Sequence, residues 1–401
     1  MKKNRMIINV VFSILFIYSA EVDAYSSDTV INGFITQGYM KTDENNFLTD
    51  TEEGSFEFNE MGIKFSSAIS NNLSIGIQFF ARDIGDLGND DITVDWAFAD
   101  YLFYNWAGIR IGKIKIPHGF YNESRDNGIA RTFIFLPQSV YSDPWRDSLL
   151  TIKGAGFYGY LYGLSYQLQI GIMDAQTDGG LAKKFNDITK SSIESIQPET
   201  AIIFSLQSTD LIDGLKIGGS VSKWDWKMDL TIQDMPAKSD DEALLWAISI
   251  EYAKNAFLFS AEYSIFDVET PIDLYVSPTA APYRLPYATN NVMEGYYGSI
   301  SYRMTDWFEI GVYHSIFYSN KKDRSGKDNV KYYNWKDYYS WSKDTCLTFR
   351  FDLNQNWIFK LEGHYNDGFY NGYITDNIDK DGNEDVEQYW YLFAAKLMYA
   401  F

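Results

Sequence analysis

With 54 acidic against 34 basic side chains in 401 residues, a net charge of -20, the chain is a poor partner for nucleic acid. Its single cysteine, Cys346, excludes an internal disulfide, so packing and hydrogen bonding alone must hold the fold. Aromatic residues reach 17% and no Pro/Ser/Gly-rich linker divides the chain, which favours one large closed domain over several small ones.

In chain order, residues 1–24 combine Lys2, Lys3 and Arg5 with an apolar run over 6–20 and the small-residue pattern Val22-Asp23-Ala24. Together these predict an export signal cleaved after Ala24, leaving 25–401 as the domain, and the run is short for a spanning helix of about 20 residues. From Val30 onward the period is two. Leu164, Tyr166, Leu168, Ile170 and Ile172 alternate with Ser165, Gln167, Gln169 and Gly171, and Leu73 to Phe79 and Phe257 to Tyr263 repeat the pattern.

Sixteen such segments begin near Val30, Ser55, Leu73, Ile92, Gly108, Leu149, Leu164, Thr200, Leu215, Ala243, Phe257, Val292, Phe308, Thr345, Trp357 and Glu387. Short connections (such as 70–72, 105–107, 161–163 and 354–356) alternate strictly with long ones (41–54, 82–91, 116–148, 174–199, 223–242, 267–291, 319–344 and 366–386). An even count, loops segregated to one end and one greasy face predict an all-β fold: a 16-stranded antiparallel transmembrane β-barrel with a polar lumen. The segment YWYLFAAKLMYAF is then the strand that closes on the first, with Phe401 in a girdle completed by Trp106, Tyr162, Phe257, Trp307 and Trp357.

Sixteen strands leave an aqueous channel that must be narrowed. The longest connection, 116–148, carries the apolar run Phe133-Ile134-Phe135-Leu136, which gains nothing in water, so the third loop is predicted to fold inward. Inward parity on the neighbouring strands assigns Lys64, Arg82, Arg110 and Lys153 to the lumen, joined by Lys113 and Lys115 if Gly112 is a bulge. The loop adds Arg125, Arg131, Arg146, Glu123, Asp126, Asp143 and Asp147. Facing charges at close quarters select ions, so these residues are the candidate constriction, each with a structural ion pair as the bland alternative.

The segment GKIKIPHGFYNESRDNGIARTFIFLPQSVY (112–141) resembles a group of little-characterised proteobacterial porins and is more distantly similar to the phosphate-selective porins. The resemblance implies a trimeric Gram-negative outer-membrane pore whose third loop is the constriction and whose final strand is presented to the barrel assembly machinery. It does not imply phosphate selectivity, because the multi-arginine ladder of those channels is not recognisable in this chain. The expected function is passive diffusion of small hydrophilic solutes or ions. A solute-selective anion or oxyanion porin and a non-conducting structural or adhesive barrel are the alternatives. No Ser/His/Asp grouping or H-E-x-x-H spacing is present, so no enzyme is expected, and no cofactor.

Two weaker signals remain. The run 377–382 (Asn-Ile-Asp-Lys-Asp-Gly) resembles a calcium loop with Asn in the first ligand place and Gln388 where a closing Glu belongs. Loop 321–343 mixes Tyr, Trp and Lys in a way suited to lipopolysaccharide. His118, His314 and His364 are scattered too widely in sequence to suggest a metal site, and Cys346 reads as a small lumen residue.

Overall fold

The computed structural model describes residues 29–85, 87–177, 179–189, 191–276, 282–284 and 290–401; the expected export signal lies outside them. Sixteen long strands form the wall: β1 (Thr29–Thr42), β2 (Asn59–Ala68), β3 (Leu73–Asp83), β4 (Thr93–Tyr104), β5 (Ala107–Lys115), β6 (Thr151–Leu161), β7 (Leu164–Met173), β8 (Ser191–Ile212), β9 (Leu215–Ile232), β10 (Met235–Lys254), β11 (Phe257–Glu269), β14 (Asn290–Thr305), β15 (Phe308–Tyr318), β16 (Trp341–Asp352), β17 (Trp357–Asp367) and β18 (Tyr389–Ala400). The short β12 (Ile272–Leu274) and β13 (Tyr283–Arg284) belong to the sixth loop.

Each wall strand pairs antiparallel with the next, and β18 returns to β1 in a register running from Phe34↔Ala400 to Thr42↔Leu392. Phe401 and Gly33 then exchange two backbone hydrogen bonds of 3.0 Å. A β-carbon at Gly33 would meet the Phe401 ring and crowd Gly62 O, so glycine leaves room for that ring at the seam. Closure leaves no unpaired edge, the condition for a sheet to cross lipid. Among the described residues no helix is long and apolar enough to do so.

The outward face is exposed and apolar, with Ile170, Phe204, Ile217, Ile248, Phe259, Leu347 and Phe393 among its members. At the short-turn end it finishes in the expected aromatic girdle, where Tyr104 stacks on Trp106 (5.4 Å), Phe257 meets Tyr302 (4.4 Å) and Trp357 meets Tyr399 (4.8 Å).

The fifth long connection is not a loop. β9 runs on to Ile232, turns through Gln233 and Asp234, both with positive φ (48° and 63°), and returns as β10. That is the mirror-image turn whose twist suits a hairpin. β8 likewise starts at Ser191 rather than near Thr200. The residues above Ser222 still alternate, but with inverted polarity: Lys223, Asp225, Lys227 and Asp229 face out, and Trp224, Trp226, Met228 and Leu230 are buried inside. The outer charges pair across strands, Lys223 with Glu242 at 2.6 Å and Lys238 with Asp229 at 2.9 Å.

On β10 the outward residues change from Lys238, Asp240 and Glu242 to Leu244, Ile248 and Ile250, with Leu244 directly opposite Lys223. From Leu244 to Lys254 the strand rises about 26 Å along the membrane normal, taking about 3.4 Å per residue and a tilt of about 40°. That matches the ~25 Å apolar band of such barrels.

Against inward residues of β1 and β18 (Met40, Trp390, Leu392), an apolar cluster joins the first loop (Phe47, Leu48), the second (Ile84, Leu87), the third (Ile134, Phe135) and the eighth (Phe369, Tyr373, Ile374). The helix Gly180–Thr189 of the fourth loop docks on the eighth through Lys183–Asp376 (2.9 Å) and Lys184 Nζ donating to Gly372 O (2.6 Å).

Candidate functional site: the third loop and its wall

The segment between β5 and β6 crosses the lumen and is held by strands on the far side. Lys360 of β17, fully buried, donates to the carbonyls of Gly128 (2.6 Å), Arg131 (2.7 Å) and Phe133 (3.2 Å). Arg350 of β16 donates to Ile129 O (2.7 Å) and Arg131 O (2.9 Å). Glu362 accepts the amides of Ile134 (2.5 Å) and Phe135 (3.2 Å), and Glu262 of β11 accepts Phe120 N (2.8 Å), Tyr141 OH (2.6 Å) and Tyr297 OH (2.8 Å). Outside its short helical turns at Gly128–Ala130 and Arg146–Leu149 the loop leaves peptide groups unpaired, and buried wall charges satisfy them.

The apolar run packs as its composition requires. Phe135 stacks on Phe58 at 5.2 Å and meets Phe47 edge-on at 6.2 Å; Phe133 lies edge-on to Tyr313 at 5.0 Å.

The predicted charges separate into three groups. The first is consumed by the loop's own fixing. Arg125 is buried against Asp143 (2.9 Å) and Tyr141 O (2.6 Å). Arg131 donates to Ile134 O (2.8 Å) and to the carbonyl of Arg125. Arg146 pairs with Glu60 (3.0 Å), which also takes Lys396 (2.5 Å), and Arg82 grips Asp147 with two bonds of 2.8 and 2.9 Å. Asp126 accepts from Lys115 and Gln78. Lys115 and Arg125 hold the carboxyls of Asp126 and Asp143 below the usual range against the opposing effect of burial. Burial, with Arg125 beside it, pushes His118 down to about 4, so this histidine is neutral.

The second group faces out. β5 and β6 pair in unbroken register through Gly112, so no bulge changes the parity of β5 there. Lys113 lies opposite Lys153, and Lys153 opposite the outward Ile172. Both ammonium groups bind Asp174 at 2.6 Å, and the Lys153 side chain is 56% exposed. The prediction that Lys153 lines the lumen, and Lys113 with it, is therefore corrected. In β6, Thr-Ile-Lys-Gly-Ala-Gly-Phe-Tyr, both parities carry apolar residues, so alternation alone leaves the face undetermined. Lys115, the last residue of β5, turns inward to Asp126 and Asp95.

The third group stays inward and in contact with water. Arg110 is a quarter exposed, pairs with Asp100 at 2.9 Å and lies over the Phe98 ring. Lys64, half-buried opposite Gln78, makes no ion pair among the described residues. Glu123 of the loop accepts from Gln167 of β7 (3.1 Å). Burial pushes its carboxyl above the usual range, opposed by Arg110 and more weakly by Lys115 and Lys216.

Sequence reasoning missed Lys360, Arg350, Glu362, Glu262, Lys396 and Glu60, all buried. Their signal was a charge flanked by apolar residues within a strand, as in Phe-Arg-Phe (349–351) and Phe-Lys-Leu-Glu (359–362), which only an inward position tolerates. In the eighth loop, Asn377 bridges to Asn46 through both its amide atoms, and Asp379 accepts its own loop's amides at 2.8 and 2.9 Å. The first calcium-ligand place is thus engaged in holding two loops together.

This architecture is a closed sixteen-stranded β-barrel of the porin type. Among solved structures it is similar to the outer membrane channel DcaP of Acinetobacter baumannii (TM-score 0.58, 12% identity, 94% of this chain and 97% of that one). It is also similar to OmpT of Vibrio cholerae (0.56, 11%, 95% and 99%) and to an anion-selective porin from Comamonas acidovorans (0.53, 9%, 94% and 100%). No protein-family model and no curated protein matches the chain.

Proposed function

We propose that the chain is a water-filled outer-membrane porin for passive diffusion of small hydrophilic solutes or ions. The observation that carries this reading is a long inter-strand segment clamped across the lumen of a closed barrel by buried charges of the opposite wall. A barrel serving only as a scaffold needs no such crossing. The passage runs past the inward groups that keep water contact: Lys64, Arg110, Glu123, Gln167 and Lys216, the last with its ammonium 4.0 Å above the Phe120 ring. Three cations against a carboxylate raised by burial favour mild anion preference, in keeping with the anion-selective relative in fold. Arg125 and Arg131, occupied within the loop, and Arg146, paired with Glu60 of β2, position it and do not meet the ion.

The proposal includes export by a signal at 1–24, delivery to the assembly machinery through β18 and Phe401, and a homotrimer, the form in which OmpT of Vibrio cholerae has also been solved. Lys113 and Lys153, outward at the loop end of the wall, suit the phosphates of lipopolysaccharide.

Single-channel recording in planar bilayers tests the reading. The folded barrel should give discrete steps with a reversal potential on the anion side in a salt gradient, and Lys64→Gln with Lys216→Gln should move it toward cations. Removing 122–137 should raise the conductance. A folded barrel without steps leaves the structural or adhesive alternative.

A further inference from the structure

β16 and β17 pair antiparallel with Cys346 directly opposite His364, and Glu362 is the next inward residue along β17. The Cys346 sulfur, a ring nitrogen of His364 and a carboxylate oxygen of Glu362 all lie within 4.8 Å of one another, and all three residues are buried. His364 Nε2 is 3.2 Å from Glu362 Oε2, about the separation of two ligands on one tetrahedral ion. The other nitrogen, Nδ1, is 3.1 Å from both Asp344 oxygens, and Asp344 in turn accepts Tyr313 OH at 2.7 Å. A carboxylate on Nδ1 fixes the tautomer that presents the Nε2 lone pair to a metal. A cavity of about 30 Å³, lined in part by Asp344, His364, Phe135 and Trp390, adjoins the cluster, with room for a water or an ion.

We propose that Cys346, Glu362 and His364 form a binding site for a divalent transition-metal ion of the zinc type, set in the barrel wall behind the third loop. Thiolate, imidazole and carboxylate together suit zinc or cobalt, while calcium and magnesium prefer all-oxygen sites. On binding, the Cys346 thiol gives its proton to lumen water and its sulfur becomes the ligand. A water from the adjoining cavity completes the fourth position. Glu362 is at once a ligand and the acceptor of the Ile134 and Phe135 amides, so the ion ties the wall to the loop.

The test is a titration of the full, folded, reduced and chelator-treated barrel with Co²⁺. The expected result is a thiolate-to-cobalt charge-transfer band that saturates at one equivalent per chain and is bleached by one equivalent of Zn²⁺ but not by the same concentration of Ca²⁺. Cys346→Ser, which preserves size, should abolish the band, and Asp344→Asn should weaken zinc binding about 10- to 100-fold, the usual effect of losing an outer-shell partner. A parent protein that takes up Co²⁺ without the band, or both variants binding Zn²⁺ as tightly as the parent, would overturn the proposal.

Discussion

β9 carries two proteins' worth of surface logic in one strand. Below Lys223 its outward residues are Ile217, Gly219 and Val221 and its inward ones Lys216, Gly218, Ser220 and Ser222; above it, charges face out and Trp224, Trp226, Met228 and Leu230 face in. The period of β9 and its pairing with β10 do not change across that point, although β8 shifts register between Pro198 and Ala201 opposite Trp226 and Trp224. What changes is the medium outside, from lipid to water, and with it the medium inside, from an aqueous lumen to the packed underside of the loops. Strand alternation reports two environments at once, and which parity is greasy says where the membrane stops.

The sharpest way to break this comparison is from within the upper region. Trp224 is buried and lies 6.1 Å from the Phe266 ring, so Trp224→Ala should cost about 3 to 5 kcal/mol in equilibrium unfolding, as a core substitution does. If it behaved as a surface change, the inner face of the hairpin would not be a core. Next comes Ile248→Lys on the lower outward face, expected to destabilise the vesicle-embedded barrel by about 2 to 4 kcal/mol. The same parity in the upper region should be indifferent: Lys227→Ala, which removes an exposed pair with Glu199, should change stability by less than about 1 kcal/mol. Equal responses at 248 and 227 would show that no boundary separates them.

The smallest effect is electrical. Glu123 has its carboxyl raised by burial, whereas Asp126 and Asp143 are held low by their partners. On acidification Glu123 is therefore the first of the three to gain a proton and lose its charge. The reversal potential should move toward anions as pH falls from neutral, and Glu123→Gln should abolish that part of the pH response. A raised carboxyl also implies that the neutral form suits the folded site, so its contribution to stability is present below its unfolded value and lost as pH rises through the folded one.

The same boundary explains how much was legible. β3, β7, β9, β11, β15 and β17 begin at the residue the alternation indicated, give or take none, because each enters lipid at once from a short turn. β8 and β10 begin earlier than expected because their first residues lie above the boundary, where a search for an apolar outer face reads charged residues as loop. The inward course of the third loop was legible in its length and in Phe133 to Leu136. Its clamps were not, since Lys360 and Glu362 lie more than 225 residues from the carbonyls and amides they hold. The cluster at Cys346 was hidden for the same reason: register, not spacing in sequence, puts it opposite His364.

The seam between β1 and β18 bears on how the barrel comes to exist. Every other wall pairing joins neighbours along the chain, but Phe34 meets Ala400 across 366 positions. Closing so long a loop carries the largest entropy cost of any pairing in the molecule and has no local contact to nucleate it, so it should form last. Until it does, two strand edges stand open with unpaired amides and carbonyls that lipid cannot satisfy. The rate at which Gly33 and Phe401 find each other therefore sets the time the half-made sheet must be sheltered, and a slow seam lengthens the interval in which such sheets stick to one another.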